Sequence, residues 1–414
     1  MDLHEHLFRH EAGRMTAVLT RLFGVHNLAL AEDVVQDAFC RALEVWKIRG
    51  IPPNPSAWLM TAARNRALDL IRRERTARTF APELTRLLET EWTVAAVVDE
   101  AFSSRIILDE QLRMMFSCCH PDLAEPAQIA LILNILCGFG AAEVAAAFLT
   151  GRAAIEKRIS RGKKVLAGSR TLFNLADGDF ASRLSAVHRA LYLLFSEGYH
   201  GASAEGAVRT ELCDEAMRLV MLLADHPATA TPATHALAAL MHLHAARIPA
   251  RVDSAGELHA LWDQDRSRWN HQLIAQGRAL LDRSAAGAEL TPYHIEAAIA
   301  AVHATAPSLE ETDWNAIVVM YDRLMTVAPS PVVALNRAIA IAERDGTDRG
   351  IEEIGRIEDR ERLEAYPFYP AALGELEARR GNGARARELF EAAAALARNA
   401  SERRFLEKRA KSSL

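Results

Sequence analysis

Aromatic residues make up only 6% of the 414 positions, and runs of alternating β-branched residues are nearly missing. Both absences argue against sheets and for a chain of helices built on alanine and leucine. No stretch is long and apolar enough to cross a bilayer, and the N-terminus MDLHEHLFRHEAGR lacks the apolar core of a signal peptide. The expectation is therefore a cytoplasmic protein with no membrane partner. The five cysteines (Cys40, Cys118, Cys119, Cys137, Cys213) are odd in number and scattered, which excludes a disulfide framework and suits a reducing compartment. No nucleophile–base pair, metal quartet or phosphate loop is recognisable, so neither an enzyme nor a cofactor is expected. Cys118, Cys119 and His120 are adjacent instead of standing at ligand spacing, so buried thiols beside a helix-ending proline are the expected reading and zinc is not.

What the chain does have is a strongly basic helix. Within Gly140–Leu166, GAAEVAAAFLTGRAAIEKRISRGKKVL reads as two short helices with a turn between them. In the second, Ile155, Ile159 and Leu166 recur at helical spacing as a buried stripe, while Lys157, Arg161 and Lys164 lie roughly opposite, flanked by Arg152, Arg158 and Lys163. A helix docked by its apolar side with cations outward suits a DNA major groove. A solvated amphipathic helix has the same pattern, and the charge run alone leaves both readings open. The net charge of −5 is unevenly spread: residues 1–170 sum to +2 and the remainder to −7. Such a chain should not cling to DNA indiscriminately, so DNA binding needs a partner or a well-placed patch.

Two helices are expected over residues 1–48, the second starting at Leu28 or Ala29 and running through Trp46. Val35, Phe39, Ala42 and Trp46 form its apolar side, and Glu32, Asp33, Gln36 and Asp37 crowd its first turns. Acids there suit the helix dipole or offer a face to a basic partner. KIRGIPPNPS, residues 47–56, predicts a loop. The following helix carries Leu59, Ala63, Ala67, Leu70 and Ile71 as its buried stripe, Thr61, Asn65, Asp69 and Arg72 opposite, and further arginines at 64, 66, 73, 75 and 78. An Asn among arginines on a rigid helix suits unpaired bases, and an ordinary surface helix looks alike.

AEDVVQDAFCRALEVW, then PSAWLMTAARNRALDLIRRER, then the helix-turn-helix at 140–166 resemble, in order and spacing, the paired domains of bacterial sigma factors of the extracytoplasmic-function group. The resemblance implies that Asp33, Gln36 and Asp37 meet core RNA polymerase. It implies that Ile48 to Asn54, with Asn65, Arg66 and Arg72, read the −10 element of promoter DNA, and that Arg152, Lys157, Arg158, Arg161 and Lys164 read the −35 element. One departure is the turn, Leu149-Thr150 and only then Gly151, where the general motif wants glycine in a left-handed conformation.

About 240 residues of helical pattern follow. Gly346 and Gly381 end two helices 35 residues apart, a period near that of tetratricopeptide repeats, whose stacked units leave a concave surface. Upstream, Glu197, Tyr199, Arg209, Glu211, Asp214, Arg247, Arg251, Asp253, Asp263, Asp265, Arg266, Arg268 and Trp269 fall in polar stretches that either line a ligand pocket or form ion pairs locking the helices together. DQDRSRW at 263–269, TDW at 312–314 and PSPVVALNRA at 329–338 are similar to stretches of a sigma-factor branch with a long C-terminal extension, which implies control of the sigma domains in cis.

The resulting expectation is an all-α chain: sigma domain two over 1–78, a linker over 79–108, sigma domain four with its helix-turn-helix over 109–172, and a tetratricopeptide-like helical-repeat regulatory domain over 180–414. Its partners would be core RNA polymerase, promoter DNA and a protein or small ligand of the repeat domain. One rival is a helix-turn-helix regulator with a helical-repeat sensor, which leaves AEDVVQDAF and the 56–78 helix without work; a second is a scaffold or enzyme whose C-terminal half carries the activity on a small ligand.

Overall fold

The computed structural model describes residues 3–73, 104–147, 150–168, 177–200, 208–253 and 256–413. Among these the structure is all-α, and the β geometry found is an isolated bridge between Val252 and Leu258. The expected linker lies almost wholly outside the described residues, as do Arg75 and Arg78. The chain divides into two compact units, residues 1–194 with 225–229, and residues 195–224 with 230–414.

In the first unit, α1 (Leu3–Phe23) is the hub. One side packs on α2 (Leu28–Arg49) and α3 (Pro55–Arg73), where Val18, Leu22 and Phe23 meet Val35, Phe39, Ala42 and Trp46 of α2 and Leu59, Ala63, Ala67 and Ile71 of α3. The α2 stripe is the expected one. On α3 the correction is small: Leu68 is buried where Leu70 is only partly so. Trp46 and Trp58 meet edge to face with centroids 5.5 Å apart, and Phe8 stacks on Phe39 at 4.6 Å. The loop is shorter than residues 47–56, because α2 continues to Arg49. Gly50, at φ 77°, donates its N–H to the Trp46 carbonyl and ends the helix in a conformation other residues resist. Asn54 then accepts the Ala57 N–H at 3.0 Å on its side chain, capping α3 ahead of Pro55.

The other side of α1 faces α4 (Ser104–Cys118) and the π-helical turn Ile132–Leu136 that continues α5 (Glu125–Leu131). Gly13 makes this approach possible: a Cβ there would lie 2.0 Å from the Leu136 carbonyl oxygen. The helix-turn-helix is α6 (Ala141–Ala147) and α7 (Arg152–Gly168). Its turn does not use a left-handed glycine at Gly151. That residue instead accepts the Ala154 and Ile155 N–H groups on its carbonyl, starting α7, while Leu149 lies outside the described residues. Close packing comes from Gly162, buried against Leu131 of α5, where a Cβ would come within 2.7 Å of a Leu131 methyl.

α8 (Asp177–His200) contributes Phe180, which meets Phe116 edge to face at 4.7 Å, and Arg183, which donates to the Phe116 carbonyl at 3.2 Å near the end of α4. Burial pushes the imidazole of His188, also on α8, down to about 4. The unfolded chain protonates this group near pH 6.5, so between about pH 6.5 and 4 the unfolded state binds the extra proton and stability falls as pH falls; above that window the contribution is complete. About 2 kcal/mol should be lost from this source between pH 6.5 and 5, and His188→Gln should flatten that limb in urea melts.

The second unit contains α9 (Thr210–Asp225) and is built around α10 (Pro232–Ala245), which is buried almost all round and capped by Thr231 accepting the Thr234 N–H. The one-turn α11 (Ile248–Arg251) follows, and α12 (His271–Ser284) and α13 (Pro292–Thr305) pack on α10. Neighbouring helices then pair in succession: α14 (Trp314–Val327), α15 (Pro331–Asp345), α16 (Thr347–Gly355), α17 (Phe368–Arg379), α18 (Gly383–Ala395) and α19 (Ala400–Ser412). Asp313, Ser330 and Asn399 cap α14, α15 and α19 with their side chains. Gly346 and Gly381, the two residues spaced 35 apart, sit past α15 and α17 with φ of 100° and 86°.

Candidate nucleic-acid and polymerase interface

The faces offered by the first unit follow from which helical stripe is buried. On α2 the apolar stripe leaves Asp33, Gln36 and Asp37 exposed together on the opposite side. The same face continues into bare hydrophobic side chains, Ile48 at 85% exposure and Ile51 in the loop beyond. Isoleucines exposed at the end of α2 and in the loop after it gain nothing from the fold, so they are available to a partner. Asn54 is exposed but spends its side-chain oxygen on the α3 cap. Asn65 is exposed and accepts from Arg64 at 3.3 Å. Arg72 lies in α3, with its side chain outside the described residues. Arg66 is tied to Asp37 by an ion pair of 2.8 Å, so one residue expected at the polymerase and one expected at DNA hold each other.

On α7 the buried Ile155, Ile159 and Leu166 turn Arg152, Lys157, Arg161 and Lys164 to solvent, with Arg158 half-buried. Arg152 pairs with Glu156 at 2.7 Å. Lys157, Arg161 and Lys164 make no ion pair among the described residues, leaving three full charges on one face. Lys163 departs from this face. Its ammonium lies 2.6 Å from Glu32 of α2, and the two side chains are about 70% buried. A pair separated by 131 residues leaves no local signal, so the sequence identified both residues without showing that they meet. Together they flank a groove of about 510 Å³ that also touches His26, Asn134, Glu156 and Lys164. Lys163→Met should cost about 1 kcal/mol in thermal or urea unfolding, because it leaves Glu32 partly buried without its cation.

Cys118 and Cys119 are both buried. Burial raises the Cys118 thiol strongly, and raises Cys119 to about 12, so both stay protonated in the core at neutral pH. His120 accepts the Asp122 N–H on its ring and the Gln128 side-chain amide on its carbonyl, a local turn arrangement.

Residues 7–77, which carry the acidic α2 face and the capped α3, match the family model for sigma-70 region 2. This N-terminal region indicates a sigma-70 family sigma factor. Sigma-70 region 2 implies a role in transcription initiation, with core RNA polymerase and promoter DNA as partners. In this sigma factor residues 183–285 match a second model, a family of unknown function (DUF6596). An uncharacterized protein of Rhizobium meliloti (strain 1021) is 39% identical over 386 residues, covering 92% of this chain and 89% of its own. No solved structure matches the sigma factor.

Proposed function

We propose that this sigma factor is an alternative factor of the extracytoplasmic-function type, in which the helix-turn-helix reads a −35 element and a tetratricopeptide-like C-terminal domain controls the factor in cis. The observation that carries this reading is the unpaired cationic face of α7, Lys157, Arg161 and Lys164, in the same unit as the exposed acids of α2. Asp33, Gln36 and Asp37 would dock on the polymerase. Ile48, Asn54, Asn65, Arg66 and Arg72 would take the opened −10 bases, and Arg152 and Arg158 would complete the −35 contacts. Opening is energetically reasonable, because each captured base recovers roughly 1 to 3 kcal/mol against an unstacking cost of a few kcal/mol. The mechanism is non-covalent, with no catalytic residue.

The test is transcription in vitro with core polymerase on a genomic promoter library, comparing the full chain with one ended after Leu194. That end point keeps Phe180 and His188, which an earlier cut at residue 176 would strip from the first unit. Transcripts that depend on the protein support promoter selection, and a changed yield after truncation supports control in cis. No transcripts with no polymerase binding would sink the first claim, and equal yields the second. Replacing Lys157, Arg161 and Lys164 together by Gln should weaken promoter binding by the holoenzyme. It should also reduce the slope of log affinity against log salt by about 2.7, if each meets one phosphate.

A further inference from the structure

Among its described residues the second unit holds one buried and two half-buried arginines without giving them acids, although Arg266 donates to the His303 and Ala306 carbonyls at 2.9 and 2.6 Å. Arg247, before the short helix α11, is 9% exposed, and its side chain donates from Nε to Gln264 Oε1 at 3.4 Å. Arg251 lies with its guanidinium carbon 4.4 Å from the centroid of Tyr199, and Arg247 and Arg266 lie 5.6 and 4.9 Å from that of Trp269. His244 of α10 meets the Tyr199 ring at 5.2 Å, and both Tyr199 and Trp269 are 3% exposed. Among the described residues no carboxylate lies within 4.0 Å of any of these three guanidiniums; Glu310 acts on Arg266 only from farther away.

Asp253, Asp263 and Asp265, which the sequence places beside these arginines, do not pair with them, and Glu211 pairs with Arg209 at 3.2 Å. Asp265 accepts the Ser267 N–H and hydroxyl at 3.0 and 2.7 Å, and Asp263 is exposed. Asp253 accepts the Glu257 N–H and lies 3.4 Å from His259. Ion pairs locking the helices, one of the two readings open in the sequence, are therefore not what these arginines make. Aromatic faces spread some of their charge but do not neutralise it.

Unspent polar atoms collect at the same place. Among the described residues, Tyr199 Oη, Trp269 Nε1, Arg251 Nε, Arg266 Nη2 and the Nδ1 atoms of His244 and His303 are buried without a hydrogen-bond partner. A folded protein normally satisfies such groups, and leaving them open costs about 1–3 kcal/mol each. The imidazoles register the same field. His244 and His303 are pushed down to about 3, chiefly by burial and then by the neighbouring arginines. The scaffold beneath is fixed: Asn270 donates to the Ala246 carbonyl at 2.8 Å, and His259 donates its N–H to the Arg251 carbonyl at 2.8 Å. The His200 ring lies 5.0 Å from that of Tyr199.

We propose that Arg247, Arg251 and Arg266, with Tyr199, His244 and Trp269, form a binding site for a small oxyanion ligand, one that presents a phosphate or carboxylate group to the guanidiniums. Planar guanidinium forks match both groups, and a bound oxyanion supplies the acceptors and negative charge that the protein withholds. Binding stands on this geometry alone. The ligand's role as the signal read by the C-terminal domain rests on the control in cis proposed above.

The experiment is calorimetric titration of the full-length protein with inorganic phosphate, pyrophosphate and citrate at low ionic strength, in wild type, Arg247→Gln, Arg251→Gln and the control Arg349→Gln. Arg349 is paired with Glu352 and Glu353 on α16. Saturable binding of at least one anion is expected, about tenfold or more weaker in the first two variants and unchanged in the control. Preference for the phosphates over citrate, or the reverse, assigns the group recognised. Thermal unfolding provides the second readout. Without anion, Arg251→Gln should melt no lower than wild type, since it removes one of several mutually repelling cations, and it should lose the anion-dependent rise in Tm. No saturable binding of any of the three, equal binding in the arginine variants, or a lower anion-free Tm in Arg251→Gln would overturn the site. Transcription assays on the same variants separate the two proposals, because binding without any protein-dependent transcript leaves the site standing and removes the sigma-control reading.

Discussion

Asp37→Lys is expected to reduce polymerase binding about 100-fold or more, with little change in unfolding temperature. Reversing a charge that meets an opposite charge across an interface costs several kcal/mol, since the contact is lost and a repulsion takes its place. Asp37 also pairs with Arg66 inside the protein, at 2.8 Å with both side chains well exposed, and an exposed pair contributes only about 0–1 kcal/mol to folding. The double variant Asp37→Arg with Arg66→Asp separates the two roles. It restores the internal pair and whatever stability that pair gives, but it presents the wrong sign to the polymerase. If the double variant regains binding in a pull-down or fluorescence titration with core enzyme, Asp37 serves to position α3 and is not itself a contact.

Gly13→Ala should destabilise the first unit by about 3 kcal/mol, seen as a fall of roughly 6–12 °C in its melting temperature. The sign is informative, because glycine in a helix interior ordinarily costs about 1 kcal/mol relative to alanine and the substitution should otherwise stabilise. Here the added methyl meets a backbone carbonyl, that of Leu136, at 2.0 Å, and a backbone atom inside a π-helical turn cannot swing away as a side-chain tip can. Relief requires α1 to move off the turn, which uncovers the packing around Met114, Met115 and Phe116. An unchanged or raised melting temperature would show that α1 and the Ile132–Leu136 turn are not held together at this point.

Much of this was legible locally. The spacing of Val35, Phe39, Ala42 and Trp46 announced which side of α2 is buried, and Ile155, Ile159 and Leu166 did the same for α7; each stripe left the expected charged residues facing out. The positive φ of Gly346 and Gly381 was likewise implied by glycines ending helical runs. Errors lay at boundaries. α2 overran the expected loop because helical hydrogen bonding continues until a residue can take φ of 77°, at Gly50, and lysine, isoleucine and arginine before it pose no obstacle. The turn before α7 uses no left-handed glycine at Gly151, and the close seat of α7 on α5 comes from Gly162 meeting Leu131.

By itself the sequence determined the helices and the side of each that is buried, because helical periodicity and capping act within a few residues. Only the tertiary structure decided the pairing of Glu32 with Lys163, the seat of α1 on the π-helical turn, and the desertion of Arg247, Arg251 and Arg266 by the acids beside them in the chain. A charged side chain spends its hydrogen bonds on whatever the fold brings within about 3 Å, and that choice is made across the chain and not along it.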